Sequence, residues 1–209
     1  MSNFLLCRDV IRDGGSTVDG AIATLLCNGV YSPQSMGIGG GFFMVVYTRG
    51  EGLVETLISR ETAPHYAHKD MFEDDHLMSS RGLLIYCLIH IKFLPLTSLE
   101  KGPLAVAIPG EIKGYAAAKE RYGNPEISWQ RLVQPSVDMC RNGVEVSESL
   151  AGSLQGNSLA ISRDPGLRLC TRGDPSSHII MPYLCNLLME SILHTSYESY
   201  GSRLSTEVW

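Results

Sequence analysis

Two stretches combine residue types and spacings that could serve chemistry: SMGIGGGFFMVVY, from Ser35 to Tyr47, and SRETAP, from Ser59 to Pro64. Arg60 in the second stands where a strand gives way to a Pro-terminated turn. From there its planar fork of donors can meet a carboxylate with two parallel hydrogen bonds. The plainer alternative is a surface pair of Arg60 with Glu61 or Glu55, which is worth little in water. The glycine cluster offers backbone N–H groups, the material of a phosphate cradle, but in the wrong order. A Walker loop needs Gly-Lys-Ser/Thr opening a helix, and a dinucleotide loop also runs from strand into helix. Here the glycines precede a strand and no Lys follows. Close backbone approach, or positive φ beside a site, is the reading that remains.

Other constellations are sparse. There is no G-x-S-x-G, and histidines at 65, 68, 76, 90, 178 and 194 are scattered. His65 and His68, three apart, could share a helix face and hold a metal with Asp70 or Asp74, although weakly clustered histidines are more often solvated. Cysteines stand at 7, 27, 87, 140, 170 and 185 without a C-x-x-C pair. A structural zinc site is not expected from them; their even count would permit disulfides in an oxidising compartment, but no spacing pairs them, and they read as small buried hydrophobes.

The elements that would position these residues follow from local signals. Asp13-Gly14-Gly15 ends a short helix beginning near Cys7; Ser16 then caps a second, with Asp19 in its first turn. Ala21, Ile22, Leu25 and Leu26 form the expected buried stripe of that helix, and Asn28-Gly29 its expected stop. After the glycine cluster, a hairpin turns around Gly50, Glu51 and Gly52. Its first strand, Phe42 to Tyr47, is apolar on both faces, as an inner strand of a layered α/β or α+β protein is. Helices are expected from about Glu111 to Tyr122 and from about Trp129 to Asn142. Pro135 should kink or break the second of these, and Ser147 caps a third.

The 209 residues, 44% apolar and 19% charged, suit one globular domain or part of one. With 17 basic and 22 acidic side chains, net charge −5, there is no electrostatic footprint for nucleic acid. The opening MSNFLLCRDVIRDGG has no basic n-region, long apolar run or cleavage site, so no export signal is expected in it. The most apolar block, Leu83 to Leu96, falls short of the ~20 residues that span a bilayer. Ser79 to Leu99 and the stretch from about Leu169 to Trp209 lack mutually consistent local signals, apart from a weak helical pattern near Tyr183 to His194.

Taken together, GGSTVDGAIATLLCNGVYSPQSMGIGGGFFMVVY, SRETAP, AVAIPGEIKGY and LVQPSVDMCRNGVEVSESLA resemble, in the same order, the N-terminal part of the large subunit of the γ-glutamyltransferases, also called glutathione hydrolases. The resemblance implies an α+β chain that is part of an N-terminal nucleophile hydrolase fold, a four-layer α/β/β/α sandwich built from two subunits made by self-cleavage. It implies residues 1–168 as a partial large-subunit region, interrupted at about 79–99, and 169–209 as a divergent, disorder-prone tail. It implies further that Arg60 binds the α-carboxylate of a γ-glutamyl substrate, that the glycine cluster serves packing, and that no cofactor or metal is required. The family's reaction is acyl transfer from glutathione and related γ-glutamyl compounds to water or an amino acid, through an N-terminal Thr of the small subunit.

No Thr-Thr-His-like nucleophile motif occurs in these residues, so the resemblance leaves no catalytic residue to assign and the chain is expected to be inactive alone. It would need the small subunit as partner, or act as a non-catalytic truncated isoform that only binds others. The family's earlier Cys, which often bridges to the position of Cys27, has no evident counterpart here. Complete animal members are typically anchored at the plasma membrane with an extracellular catalytic domain; nothing in these residues assigns a location to this chain.

Overall fold

The computed structural model describes residues 3–65, 67–70, 107–159, 172–174 and 178–180. In chain order the elements are α1 (Asn3–Arg12), α2 (Thr17–Tyr31), β1 (Phe42–Thr48), β2 (Leu53–Ser59), α3 (Glu111–Tyr122) and α4 (Trp129–Asn142), then β3 (Val144–Glu145), α5 (Glu148–Gly156), β4 (Arg172–Asp174) and β5 (His178–Ile180). The expected insert at 79–99, the helical pattern near Tyr183 and most of the tail lie outside the described residues. β4 and β5 arise where the sequence offers no clear strand signal; they pair antiparallel, and β5 also pairs with β3 in the order β3-β5-β4.

Helix α2 is the centre of the core and packs against α1, α3 and α4. Its buried apolar side chains are Ile22, Ala23, Leu26, Cys27 and Val30, joined by Val10, Tyr115, Ala118, Leu132, Val133 and Val137 from its neighbours. The stripe is thus displaced by one residue from the expected one: Ala21 and Leu25 are only partly covered. Cys27 belongs inside because its thiol meets Ser136 on α4, Sγ to Oγ 3.1 Å. Burial pushes that thiol up to about 11, against the lowering effect of the Ser136 hydroxyl, and Cys140 on α4 is buried as well.

Three other expectations need correction. Helix α1 begins at Asn3, four residues before Cys7. Asn28-Gly29 does not end α2, which runs to Tyr31. Gly29 serves instead as a packing site, since a Cβ there would come within 3.2 Å of Gly37 Cα in the glycine loop. Helix α4 runs through Pro135 without the break that was one of the two expected outcomes. Its apolar face is held by tertiary packing at Leu132, Val133 and Val137, which outweighs the local loss of one hydrogen bond.

The expected caps are present at Ser16, Ser128 and Ser147. Ser16 and Asp19 form a reciprocal capping box: Asp19 N–H donates to Ser16 Oγ at 3.1 Å, and Ser16 N–H to Asp19 Oδ2 at 2.8 Å. The same carboxylate receives Asn124 N–H at 2.7 Å and lies 3.0 Å from Lys119 Nζ. Burial acts to raise the Asp19 carboxyl, yet these donors together hold it below the usual 3.8. One fully buried acid therefore ties the start of α2 to the end of α3.

Strands β1 and β2 form an antiparallel hairpin, registered from Phe42 opposite Ser59 to Thr48 opposite Leu53. One face, with Phe42, Met44 and Leu57, packs on the helical core, and the Phe42 ring stacks on Tyr115 with centroids 4.9 Å apart. The other face is apolar and open: Phe43, Val45 and Tyr47 lie beside Ile58 and Val54, and Phe43 is 67% exposed. β1 is therefore apolar on both faces, as its sequence indicates, but only one face is covered by described residues.

Candidate functional site

Arg60 follows the last residue of β2. Its Nη1 donates to Gly41 O at 2.9 Å, its Nη2 meets Glu61 Oε2 at 2.9 Å, and its Cζ lies 5.6 Å from the centroid of the Phe43 ring. The Arg60–Glu61 surface pair considered from the sequence is present, but the carbonyl and the aromatic face are added to it. The side chain remains 48% exposed. Two of the five N–H donors of a guanidinium are used by these contacts, and the group sits at the rim of the open apolar face, where a carboxylate could approach it.

The backbone beneath Arg60 is gripped by glycines from three places in the chain. A Cβ on Gly41 would stand 2.8 Å from Arg60 Cα, and one on Gly110 would stand 2.5 Å from Ser59 O and 2.8 Å from Arg60 O. A Cβ on Gly114, one turn into α3, would press on Ser59 Cβ at 2.5 Å and Phe42 Cε1 at 2.6 Å. No larger residue fits at any of the three without displacing this segment.

Hydrogen bonds complete the grip. Gly110 N–H and Glu111 N–H both donate to Gly40 O, at 3.0 and 3.1 Å, and Ser59 Oγ donates to Gly110 O at 2.7 Å. Thr62 and Ile108 exchange a backbone pair at 3.0 and 2.8 Å. Within the glycine cluster it is Gly41 that packs on the Arg60 segment, while a Cβ on Gly37 or Gly39 would meet nothing within 4 Å.

Glu111 and Tyr115 lie under this loop. Glu111 is 5% exposed at the first turn of α3, and the Tyr115 hydroxyl donates to its Oε1. Burial raises the Glu111 carboxyl above its usual 4.5; the Tyr115 bond works downward, Glu61 upward and Arg60 downward. Burial and the neighbouring acid also push the Tyr115 hydroxyl up.

Sequence reasoning identified Arg60 but not Gly110, Glu111, Gly114 or Tyr115. A signal existed in PGEIKGY: two small residues four apart fall on one helix face, where another backbone can approach. His65 and His68 join no cluster of three potential metal ligands among the described residues, and Asp74 lies outside them. No helix among the described residues is long and apolar enough to cross a membrane, and Leu83 to Leu96 lies outside them.

The architecture matches solved proteins. The γ-glutamyltranspeptidase from Pseudomonas nitroreducens, complexed with L-DON, superposes with a TM-score of 0.72 at 22% identity, covering 93% of this chain and 52% of that one. By sequence, the chain is 39% identical over 161 residues to scoloptoxin SSD14 of Scolopendra dehaani, covering 77% of this chain and 24% of that protein. It is 36% identical over 159 residues to glutathione hydrolase 3 of Arabidopsis thaliana, covering 76% and 22% respectively. The chain therefore spans less than a quarter of these curated relatives and about half of the solved chain. The α+β arrangement is accordingly part of an N-terminal nucleophile hydrolase fold. The family model described as gamma-glutamyltranspeptidase matches residues 5–176, and on that match, with the shared fold and relatives, this chain belongs to the γ-glutamyltranspeptidase family.

Proposed function

We propose that this chain supplies the carboxylate-binding arm of an enzyme that cleaves the γ-glutamyl amide of glutathione and related compounds. Arg60 takes the α-carboxylate of the γ-glutamyl group, leaving the γ-carbonyl to be attacked by a Thr hydroxyl on the family's small subunit. That Thr's own amine accepts the hydroxyl proton, and the leaving amine departs protonated. Water or an amino-acid amine then takes the glutamyl group from the Thr ester, restoring the hydroxyl. The observation that carries the reading is the Arg60 guanidinium itself, braced by Gly41 O and Glu61 yet half exposed at the rim of an uncovered apolar face.

The second sheet of the family's sandwich is the occupant we assign to that face, because the solved relative's chain has about as much again beyond the part this chain matches. The chain alone is inactive in this reading: its 209 residues hold no Thr-Thr-His-like motif. A non-catalytic role, in which the chain only binds such a partner, is favoured by the same open face.

The test is glutamate release from glutathione by the purified chain, alone and after co-production with a family small subunit. Release only with the partner is expected. Arg60→Ala should then lower kcat/KM on the order of a hundredfold, through loss of a charge-assisted pair. Release by the chain alone, or an unchanged kcat/KM in Arg60→Ala, overturns the assignment. A complex that forms but releases nothing supports the non-catalytic role.

A further inference from the structure

Glu111 is a buried acid that the reaction above does not use, and its position is unusual. The point where a Cβ would stand on Gly40 lies 3.7 Å from Glu61 Oε1, 3.8 Å from Glu111 Oε2 and 3.5 Å from Gly37 O. Two carboxylates thus converge on one side of the glycine loop. One of them holds Arg60, and the other is braced from below by Tyr115. The Glu111 amide and carboxylate act on the same loop, since its N–H donates to Gly40 O while the next residue, Gly41, accepts from Arg60.

We infer that Glu111, braced by Tyr115 and facing Glu61 across Gly40, is a positioning residue: it fixes where the Arg60 guanidinium sits and how far its charge is compensated. It does not touch the ligand; it acts through Glu61 and the Gly40–Gly41 turn. Among the described residues, the groups facing it are Tyr115 from α3 and Arg60 and Glu61 from the end of β2. The remaining wall, from α2 and the glycine loop, is formed by Leu25, Leu26, Val30, Met36 and Ile38 and adds no charge.

The consequence is a charge switch beside a carboxylate site. With Glu111 protonated, Glu61 alone balances Arg60, leaving more positive potential for an incoming carboxylate. Once Glu111 ionises, two acids compete for one guanidinium and like charges crowd the loop. Carboxylate binding should therefore weaken as pH rises through the Glu111 transition, which burial places above the ordinary 4.5.

The ligand part of this inference rests on the reading of Arg60 given above, and the experiment separates the two. In the full chain, the Arg60 Nε–H resonance is followed by NMR against pH in wild type, Glu111→Gln and Tyr115→Phe, with amide spectra confirming that each is folded. A titration step at Arg60 is expected in the wild type. It should vanish in Glu111→Gln and move to higher pH in Tyr115→Phe, where a hydrogen bond favouring the ionised acid is lost. A step that persists in Glu111→Gln, or an Arg60 resonance indifferent to pH in the wild type, overturns the inference. L-Glutamate is then titrated in as the probe. Its affinity should fall roughly three- to tenfold across the step in wild type and stay flat in Glu111→Gln. An intact Arg60 step without any L-glutamate binding supports Glu111 as the positioning residue and counts against Arg60 as a substrate site.

Discussion

Asp19 and Glu111 are both buried acids in the first turn of a helix, one at the start of α2 and one at the start of α3, and their environments push them in opposite directions. Asp19 collects two backbone N–H bonds and the Lys119 ammonium, which overcome its desolvation. Glu111 has one hydroxyl donor and a neighbouring acid, so burial dominates. The number of donors, rather than burial, decides whether a buried carboxylate acts as a fixed clamp or as a group that can change charge. The clamp holds helices together far from Arg60; the titrating acid lies directly under it.

The strongest test of this contrast is stability. Asp19→Ala leaves the Lys119 ammonium, only 13% exposed, without its counter-charge and with only the Asn124 carbonyl to meet it, and it removes half of a capping box; it should cost about 3–5 kcal/mol in urea unfolding. Glu111→Gln keeps an acceptor for Tyr115 and should shift stability by less than about 1 kcal/mol. Equal losses in the two variants would mean that Glu111 is as much a structural clamp as Asp19.

A smaller effect probes the junction that carries Arg60. Gly114→Ala places a methyl against Ser59 and Phe42 and should cost about 1–3 kcal/mol. Gly152→Ala on α5, where a Cβ would meet nothing within 4 Å, serves as the control and should be neutral or mildly stabilising. Similar behaviour of the two would deny that the Arg60 backbone is tightly gripped.

The smallest effects are in pH dependence, and their signs differ. Asp19 is lowered in the folded state, so the stability it contributes is present above its ordinary 3.8 and is lost as pH falls through its lowered value. Glu111 is raised, so its contribution is present below the ordinary 4.5 and is lost as pH rises through the folded value. Compared with wild type, Glu111→Gln should therefore gain relative stability on the alkaline side of that transition, measured by urea midpoints at successive pH values. A gain confined to acid pH would reverse the assignment.

Much of this was legible in the sequence because the signals were local. Ser16, Ser128 and Ser147 cap the expected helices, and the hairpin turns where Gly50 to Gly52 place it. The Arg60–Glu61 pair was legible because strand, Arg and Pro-ended turn are contiguous, whereas a substrate role for Arg60 came only from the family resemblance. What could not be read was set by partners distant in sequence. Asn28-Gly29 looks like a helix stop, yet the approach of Gly37 makes Gly29 an interior packing residue. Pro135 looks like a break, yet buried neighbours on both sides keep α4 continuous. Glu111 looks like an ordinary first-turn acid until Tyr115, Glu61 and the glycine loop are assembled around it.

The grip on Arg60 also bears on the order of folding. The Ser59–Gly110 hydrogen bond joins residues 51 apart in sequence, and the contacts of Gly41 and Gly110 with the Ser59–Arg60 backbone close only when strand, loop and α3 have all arrived. The capping box at Ser16 and Asp19 spans three residues and can form with the first turn of its helix. Because long loops close at an entropic cost that local contacts escape, the seating of Arg60 should be among the last features to mature. A nascent chain would then acquire its helical scaffold before the Arg60 guanidinium reaches its seat against Gly41 and Glu61.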